Sequence, residues 1–352
     1  MSRARFPIFG SLFWGFLYII PLVRKFFVAL LILIGVIFII GRFAELQSIF
    51  ETLKRGDWRF LVIALGVQLV WLFNIAMIFR VIYRALGIEE KMTRLAMMSA
   101  AATFANVVAP SVGMSGVAVF ISEARRRGYS AARATLAGVL YILFDYAGFL
   151  CVLTLGLIVL FRRNDLNLPE LIASSILFLL AMGIASLLYL GMRSAETLGS
   201  VLAWMAHQVN RLLYPFLHRQ YLSEQRAIEF AHDASEGLRE LQKKPKDLIL
   251  PLLLALSSKT LLILVLFLMF MAFKVPLSIG TLIAGFSIGY LFLIISPTPA
   301  GLGFVESGLT LALASMYVPL SAAAVIVIAY RGYTFWLPFA IGGIALRWLN
   351  RD

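Results

Sequence analysis

Long apolar runs are the feature that most constrains this sequence, because a membrane-spanning helix needs about 20 consecutive apolar residues. Seven runs approach or exceed that length, covering residues 26–40, 60–79, 135–161, 171–192, 248–273, 277–296 and 321–346. Apolar residues make up 61% of the chain and charged residues 14%, whereas soluble domains have about 45–50% and about 25%. The sequence therefore predicts an all-α, polytopic integral membrane protein. It argues against a soluble enzyme, a disordered chain and a nucleic-acid-binding domain.

Two apolar stretches are interrupted, and they shape the predicted topology. Residues 95–120 contain Pro110, Gly113 and Gly116, and the stretch after 303 is short. If 95–120 and 277–317 are re-entrant helical hairpins, six full crossings remain and both termini are cytoplasmic. Most of the 31 basic residues then lie on the cytoplasmic side, as the positive-inside rule requires. The net charge of +13 thus needs no nucleic-acid partner to explain it.

This topology divides the chain into four segments. Residues 1–25 form an N-terminal interfacial segment, although the sequence does not decide whether 8–23 inserts. Residues 26–192 form the first transmembrane half and 248–352 the second. Between them, 193–247 is the one sizeable polar region, in which apolar side chains recur at helical spacing. It predicts two amphipathic helices at the cytoplasmic interface.

The two Pro/Gly-rich breaks, at 106–116 and 296–306, occupy corresponding places in the two halves. Non-helical backbone at membrane depth is tolerated only where protein or a water-filled cavity satisfies its N–H and C=O groups. Paired breaks of this kind indicate an inverted-repeat transporter with its site where the repeats meet. Helices that start after Gly116 and Gly303 would aim unpaired N–H groups at an anion. The alternative is that both breaks are ordinary loops at the membrane surface.

Four ionisable residues lie in or next to apolar runs, where charges are costly and often functional. They are Asp145, Lys259, Glu306 and Arg331. We expect Arg331 to bind a headgroup phosphate, because a guanidinium forks onto phosphate oxygens, and Lys259 to do so as a point charge or to snorkel. Asp145 would bind a cation, a proton or a headgroup amine, or pair structurally with one of the two bases. Glu306 would serve transport or cap its helix.

Other polar and aromatic residues have plainer interpretations. We expect Asn106 to bond backbone groups at the first break, and Gln68 and Asn74 to join helices. Trp71 and Trp336 are interpreted as packing. The basic run that includes Arg125 and Arg126 is a topology anchor or a cytoplasmic entrance for headgroups.

The residues predicted to bind substrate are those at the two breaks together with the buried charges. They are Asn106, Gly113, Ser115, Gly116, Asp145, Lys259, Pro297, Pro299, Gly301, Gly303, Glu306, Tyr330 and Arg331. No cofactor is expected, since no dinucleotide, P-loop, zinc-protease or nucleophile-elbow motif occurs. With three histidines and one cysteine, no zinc-binding spacing occurs either.

These motifs resemble the lysylphosphatidylglycerol synthase transmembrane region, a flippase-like family that also has stand-alone members. The similarity runs from about residue 26 to 349 and is strongest after residue 296. The motifs that carry it are Pro297-Thr-Pro299-Ala-Gly301-Leu-Gly303-Phe-Val305-Glu306, Val318-Pro319-Leu320, Tyr330-Arg331 and Trp336-Leu-Pro338, with Gly56-Asp57-Trp58-Arg59, Asn106, Pro110, Gly113, Gly116, Arg125-Arg126-Arg127-Gly128 and Asp145 in the first half.

The chain also departs from the family pattern. Many members have Gly-Glu at the first break, where this chain has Ser115-Gly116. Many have Glu-Arg ahead of the aspartate, where this chain has Tyr141 and Ile142. The substrate is therefore expected to differ from theirs. The resemblance implies the translocating region without the soluble aminoacyl-transferring domain.

Together these features predict a lipid flippase or transporter that moves an anionic or lipid-linked headgroup through a polar intramembrane cavity. It would lie in a bacterial or archaeal cytoplasmic membrane, with a membrane phospholipid or lipid-linked molecule as its partner. Self-association is left open. Two alternatives are a membrane-embedded enzyme that modifies lipids and a non-transporting partner of a lipid-modifying complex.

Overall fold

The structure is a computed structural model that describes residues 47–108, 114–163, 168–217, 223–243, 245–296, 298–349 and 351. The chain divides into two units, Met1–Lys54 and Arg55–Asp352. In the first unit, residues 47–53 are helical. The predicted first span, 26–40, and the predicted interfacial segment, 1–25, lie outside the described residues.

The second unit is helical, and its described part contains no strand. Its helices are α1 (Trp58–Ala85), α2 (Met92–Val108), α3 (Met114–Arg126), α4 (Ala131–Arg163), α5 (Leu168–Arg193), α6 (Ala195–Leu217), α7 (Glu224–Lys243), α8 (Ile249–Ala272), α9 (Ile279–Ile295), α10 (Phe304–Ser315), α11 (Leu320–Arg331) and α12 (Leu337–Leu349).

Five stretches in the described part are long and apolar enough to cross a membrane: Trp58–Ala85, Ala131–Arg163, Leu171–Arg193, Lys246–Ala272 and Leu320–Leu349. Each contains or closely matches a run predicted to be a full crossing. The prediction of an all-α polytopic membrane protein is therefore confirmed.

Short polar segments set the ends of these helices. α1 begins after Asp57, whose carboxylate accepts a hydrogen bond from the backbone N–H of Arg59 at 3.0 Å. α9 begins after Ser278, whose hydroxyl accepts from the backbone N–H of Thr281 at 3.0 Å. Such N-caps satisfy amide groups that have no partner within the helix.

Both interrupted stretches form pairs of short helices. α2 and α3 pack against each other on either side of the first break, of which residues 109–113 lie outside the described part. α9 and α10 pack against each other on either side of the second, where Pro299–Gly301 forms one turn of 3₁₀-helix. Whether these pairs are re-entrant in a bilayer stays a prediction.

The two halves of the unit use matching helix contacts. α1 packs on α8 at the centre. The first helix of each pair crosses to the other half, so that α2 packs on α12 and α9 packs on α4. The second helix of each pair returns to its own half, so that α3 packs on α4 and α10 packs on α11.

The polar region forms α6 and α7, which pack together and against the membrane-spanning helices. The buried face of α7 consists of Ala231, Ala234, Ser235 and Leu238, and it lies against α4 and α5 as well as α6. This packing explains why apolar side chains recur at helical spacing in residues 193–247. The sequence pattern does not predict these contacts with α4 and α5.

The last predicted crossing, 321–346, is not one continuous α-helix. A π-helical turn, Gly332–Trp336, separates α11 from α12. Within it, the Tyr333 hydroxyl donates to the carbonyl oxygen of Leu61 on α1 at 2.9 Å, and the Thr334 hydroxyl donates to Tyr330 O at 2.9 Å. π-turns occur frequently at functional sites, and this one directly follows Arg331.

Candidate functional site

A cavity of about 480 Å³ lies where the two broken helix pairs meet the long helices. Thr103 and Asn106 reach it from beside the first break, and Ser296, Thr298 and Ala300 reach it from the second. Its remaining walls come from the long helices and from α9 to α11. They include Trp71, Tyr141, Asp145, Tyr146, Tyr290, Tyr330, Arg331, Thr334 and Phe335. Polar groups and aromatic rings thus line a chamber inside a bundle of apolar helices.

Asp145 on α4 forms a buried three-residue cluster with Lys259 on α8 and Tyr290 on α9. The Lys259 ammonium donates to Asp145 Oδ1 at 2.6 Å and to the Tyr290 hydroxyl oxygen at 2.5 Å. The Tyr290 hydroxyl in turn donates to Asp145 Oδ2 at 2.9 Å. The Lys259 side chain is only 1% exposed and that of Asp145 14%. Each ion is therefore compensated, as burial requires.

Arg331, at the end of α11, forms the second buried ion pair. Its Nε donates to Glu306 Oε1 at 2.5 Å, and its Nη2 donates to the carbonyl oxygen of Ala300 at 2.9 Å. Its guanidinium carbon lies 4.6 Å from the centre of the Phe335 ring, within cation–π range. The Arg331 side chain is 4% exposed, yet the residue lines the cavity. Arg331 thus joins α10, α11 and the second break.

An uncommon backbone conformation in the second break directs the carbonyl oxygen of Ala300 toward Arg331. Ala300 lies in the left-handed region with φ of 54°, and Gly301 and Gly303 have φ of 75° and 70°. Glycine adopts this region without steric cost, which explains the two glycines of the motif. The Thr298 hydroxyl donates to Leu302 O at 2.9 Å and so satisfies one carbonyl group of the break.

The side chain of Asn106 joins the two helices that flank the first break by a hydrogen bond to the backbone, as the sequence predicts. Its Oδ1 accepts a hydrogen bond from the backbone N–H of Gly116, at the start of α3, at 2.6 Å. A Cβ on residue 116 would lie 2.7 Å from Asn106 Nδ2, so only glycine leaves room for this side chain. Asn106 therefore serves the backbone and also lines the cavity.

The basic run at the end of α3 takes part in ion pairs. Arg127 lies 3.3 Å from Glu90 and 3.6 Å from the buried Glu123, which also accepts from Arg94 at 2.8 Å. Arg126 donates to Leu349 O, at the end of α12, at 2.8 Å. This cluster ties the ends of several helices together. A role of Arg125 and Arg126 as a headgroup entrance stays a prediction.

The other predicted site residues lie at differing distances from the cavity wall. Tyr330, like Asp145, Arg331 and Asn106, contributes to the wall. Lys259 and Glu306 lie behind it, as partners of Asp145 and Arg331. Ser115, Gly116, Gly301 and Gly303 belong to the two breaks but are not among the described wall residues. Pro299 begins the 3₁₀ turn of the second break. Gly113 and Pro297 lie outside the described residues.

Tyr290 and Trp71 line the cavity but are not among the residues that the sequence analysis predicts to bind substrate. For Tyr290 the sequence does hold one signal, because a tyrosine hydroxyl in so apolar a helix needs a hydrogen-bond partner. Trp71, interpreted as packing, instead lines the cavity, and its indole N–H is buried without a hydrogen-bond partner among the described residues. Glu306 Oε2 is likewise a buried acceptor with no described partner. These two groups can each make one further hydrogen bond.

The two amides predicted to join helices differ. Asn74 donates to Leu254 O on α8 at 2.9 Å and accepts from the Ser257 hydroxyl at 3.3 Å, which confirms its role. Gln68 is fully buried, and neither amide atom has a hydrogen-bond partner in the described part of the chain. For Gln68 the expected interhelical bond is not found.

Comparison with known proteins identifies one family. The sequence model described as "Lysylphosphatidylglycerol synthase TM region" matches residues 26–342, which is most of the chain. Comparison with curated proteins gives no match. The family match agrees with the resemblance carried by the motifs after residue 296, now seen to form the second break and the Arg331 pair. The family indicates a membrane function related to lipids. The chain therefore belongs to the family of the lysylphosphatidylglycerol synthase transmembrane region.

Proposed function

We propose that this protein is a lipid transporter of the flippase type, which moves a phosphate-containing headgroup through its intramembrane cavity. One observation carries the proposal: the cavity lined by Asp145 and Arg331, which we call the polar cavity, lies where the two broken helix pairs meet. Each of these two residues belongs to a buried ion pair. Charged residues at membrane depth are energetically costly, and those that occur there usually have a function. A polar headgroup that crosses the bilayer needs a path lined by polar groups, and this cavity can provide it.

The helix contacts support an inverted repeat as the scaffold. In the proposed repeat, α1 would correspond to α8, the first broken pair to the second, and α4 to α11 with α12. In each half, the first helix of the broken pair packs on the long helix of the other half. In an inverted-repeat transporter, alternating access arises when one repeat rocks against the other around a fixed site. The cavity where the two broken pairs meet would serve as that site.

The charges support a headgroup that exchanges partners with the protein. The two ion pairs cancel, so an added anion would bring an uncompensated charge into a poorly solvated space. A phosphate that replaces Glu306 on Arg331 restores the cation's pairing, because a guanidinium binds phosphate in two-point geometry. The released carboxylate can then accept from a headgroup hydroxyl or ammonium. The indole N–H of Trp71, which has no partner among the described residues, offers one donor to a phosphate oxygen.

The test is transfer of fluorescent phosphatidylglycerol between the leaflets of proteoliposomes, measured by dithionite bleaching. We expect the wild-type protein to expose more than the outer-leaflet lipid and Arg331→Lys to slow transfer. Lysine keeps the positive charge but cannot bind a phosphate through two parallel N–H groups as arginine does. The loss of one hydrogen bond to a charged group should slow lipid transfer by about tenfold or more. Arg162→Lys makes the same substitution at an exposed position outside the cavity and serves as the matched control.

Three outcomes would contradict the proposal. If wild-type protein moves neither phosphatidylglycerol nor the lipids of its native membrane, it is not a flippase. If the recovered lipid is chemically altered, the cavity belongs to a lipid-modifying enzyme. A regulatory partner would instead keep its cellular role in the Arg331→Lys variant. We expect the lipid to be recovered with unchanged mass.

A further inference from the structure

A second cavity, of about 450 Å³, lies between α4, α5, α6 and α7. Its wall is made of aliphatic and aromatic side chains that include Leu136, Leu188, Leu198, Leu202, Phe230 and Leu238. Among the described residues of this wall, Tyr146 is the one with a hydroxyl, amide or charged group. We refer to this space as the apolar chamber.

The apolar chamber and the polar cavity share a wall. Ile142 and Tyr146 line both spaces. They lie four residues apart on α4, and such residues form one stripe on a helix surface. On one side of this stripe, Tyr141 and Asp145 face the polar cavity, and on the other, Leu136 and Val139 face the apolar chamber. One helix thus carries both surfaces, with a single stripe between them.

The side chains that line the apolar chamber determine which type of ligand can bind there. A space without polar partners does not hold ordered water, and a phosphate headgroup would be left without hydrogen bonds there. Its volume falls within the range of about 300–1,000 Å³ typical of small-molecule sites. A flexible hydrocarbon chain satisfies such walls, because each buried methylene group contributes favourably. The adjoining polar cavity supplies the place for the polar end of the same molecule.

We propose that the apolar chamber binds one acyl chain of the lipid whose headgroup occupies the polar cavity. This inference rests on the proposed function and adds to it that the protein, rather than the bilayer, holds a tail during transport. The substrate class is then a phospholipid recognised at both ends. Ile142 and Tyr146 mark the point where its headgroup and its chain separate.

The experiment compares two phosphatidylglycerols by native mass spectrometry of the purified, delipidated protein. One carries palmitoyl and oleoyl chains, and the other carries two butyryl chains. Leu202→Trp and Val139→Trp fill the apolar chamber from opposite walls, on α6 and α4. Leu179→Trp adds the same side chain at a 67% exposed position of α5 and is the matched control.

We expect wild-type protein and Leu179→Trp to bind the long-chain lipid more tightly than the short-chain one. Both filled variants should lose about tenfold or more in affinity for the long-chain lipid, since two buried methylene groups already correspond to that factor. They should bind the butyryl lipid as the wild type does. The headgroup contacts lie in the other cavity and are unchanged.

The outcomes separate this inference from the proposed function. If wild-type protein binds both lipids equally, or if the filled variants bind the long-chain lipid as tightly as wild type, no chain occupies the apolar chamber and the inference is wrong. The inference is also wrong if both filled variants lose both lipids, because the tail site is then not separable from the headgroup site. If wild-type protein binds neither lipid, the proposed function fails first.

Discussion

At the scale of single residues, the cluster of Asp145, Lys259 and Tyr290 predicts a non-additive effect on stability. Asp145→Asn leaves the fully buried Lys259 ammonium without its counter-ion, and breaking such a pair typically costs about 3–5 kcal/mol. The double variant Asp145→Asn/Lys259→Met removes both charges and should be closer to wild type than either single variant. Thermal unfolding of the detergent-solubilised protein measures this.

The control for this cycle is Tyr290→Phe, which removes one hydroxyl from the same cluster and leaves both charges paired. It should cost no more than an ordinary buried hydrogen bond, about 1–3 kcal/mol. Additive losses in the double variant would show that Asp145 and Lys259 do not interact. Restored stability together with lost lipid transfer is expected if the pair also serves transport.

The sequence predicts which charged residues lie among the apolar helices but not how they pair. Asp145, Lys259, Glu306 and Arg331 stand out because an ion in an apolar run needs a partner. The sequence leaves the pairing of Asp145 open between two bases, since contacts separated by more than a hundred residues depend on helix packing. It does not reveal Tyr290 and Trp71, because an aromatic residue in an apolar helix looks the same whether it packs or faces a cavity.

At the scale of elements, the crossing of α2 and α12 depends on one glycine. A Cβ on residue 342 would overlap the carbonyl oxygen of Ala100 and lie 2.8 Å from Phe104 Cβ, so two backbones meet there. Small residues allow such close approach between membrane helices. Gly342→Ala should therefore destabilise the protein by about 1–3 kcal/mol, the usual cost of overpacking, as measured by thermal unfolding in detergent.

The neighbouring glycine supplies the matched control. A Cβ on residue 343 would lie 3.4 Å from the Phe104 ring, which is ordinary contact. Since alanine is favoured over glycine in a helix by up to about 1 kcal/mol, Gly343→Ala should be neutral or stabilising. Equal unfolding temperatures for the two variants would show that the helices separate easily and that the close crossing is not required.

The first break makes a similar prediction at the start of α3. Gly116→Ala places a methyl group 2.7 Å from Asn106 Nδ2, so the amide must shift and its hydrogen bond to the backbone N–H of residue 116 is weakened. The loss of this part-buried hydrogen bond should cost about 0.5–1.5 kcal/mol. Gly183→Ala, on α5 with open space around it, is the control. Unchanged stability of Gly116→Ala would show that Asn106 does not close the break.

The sequence predicts elements better than their interruptions. Apolar runs locate the long helices, and Pro/Gly clusters locate both breaks, because these signals are local. No such signal predicts the π-helical turn at Gly332–Trp336. It coincides with the bond from Tyr333 to Leu61, which joins residues far apart in the chain. A local pattern carries no information on such a contact.

At the scale of the whole molecule, the predicted orientation can be tested with single cysteines. Cys151→Ser removes the native thiol. The positive-inside distribution places Glu89, in the loop after α1, in the cytoplasm and Pro276, in the loop before α9, outside. We therefore expect an impermeant maleimide applied to intact cells to label Pro276→Cys but not Glu89→Cys. Disrupting the membrane should expose both.

The same labelling tests whether the broken helix pairs reach one central cavity. Thr103 and Thr298 lie beside different breaks but line the same cavity, so cysteines there should react with the reagent from the same side of the membrane. Ordinary surface loops on opposite faces would instead react from opposite sides. Bound phosphatidylglycerol should slow both reactions together if a headgroup fills the cavity. Pro276→Cys, at an exposed loop position outside the cavity, should react at the same rate with and without the added lipid.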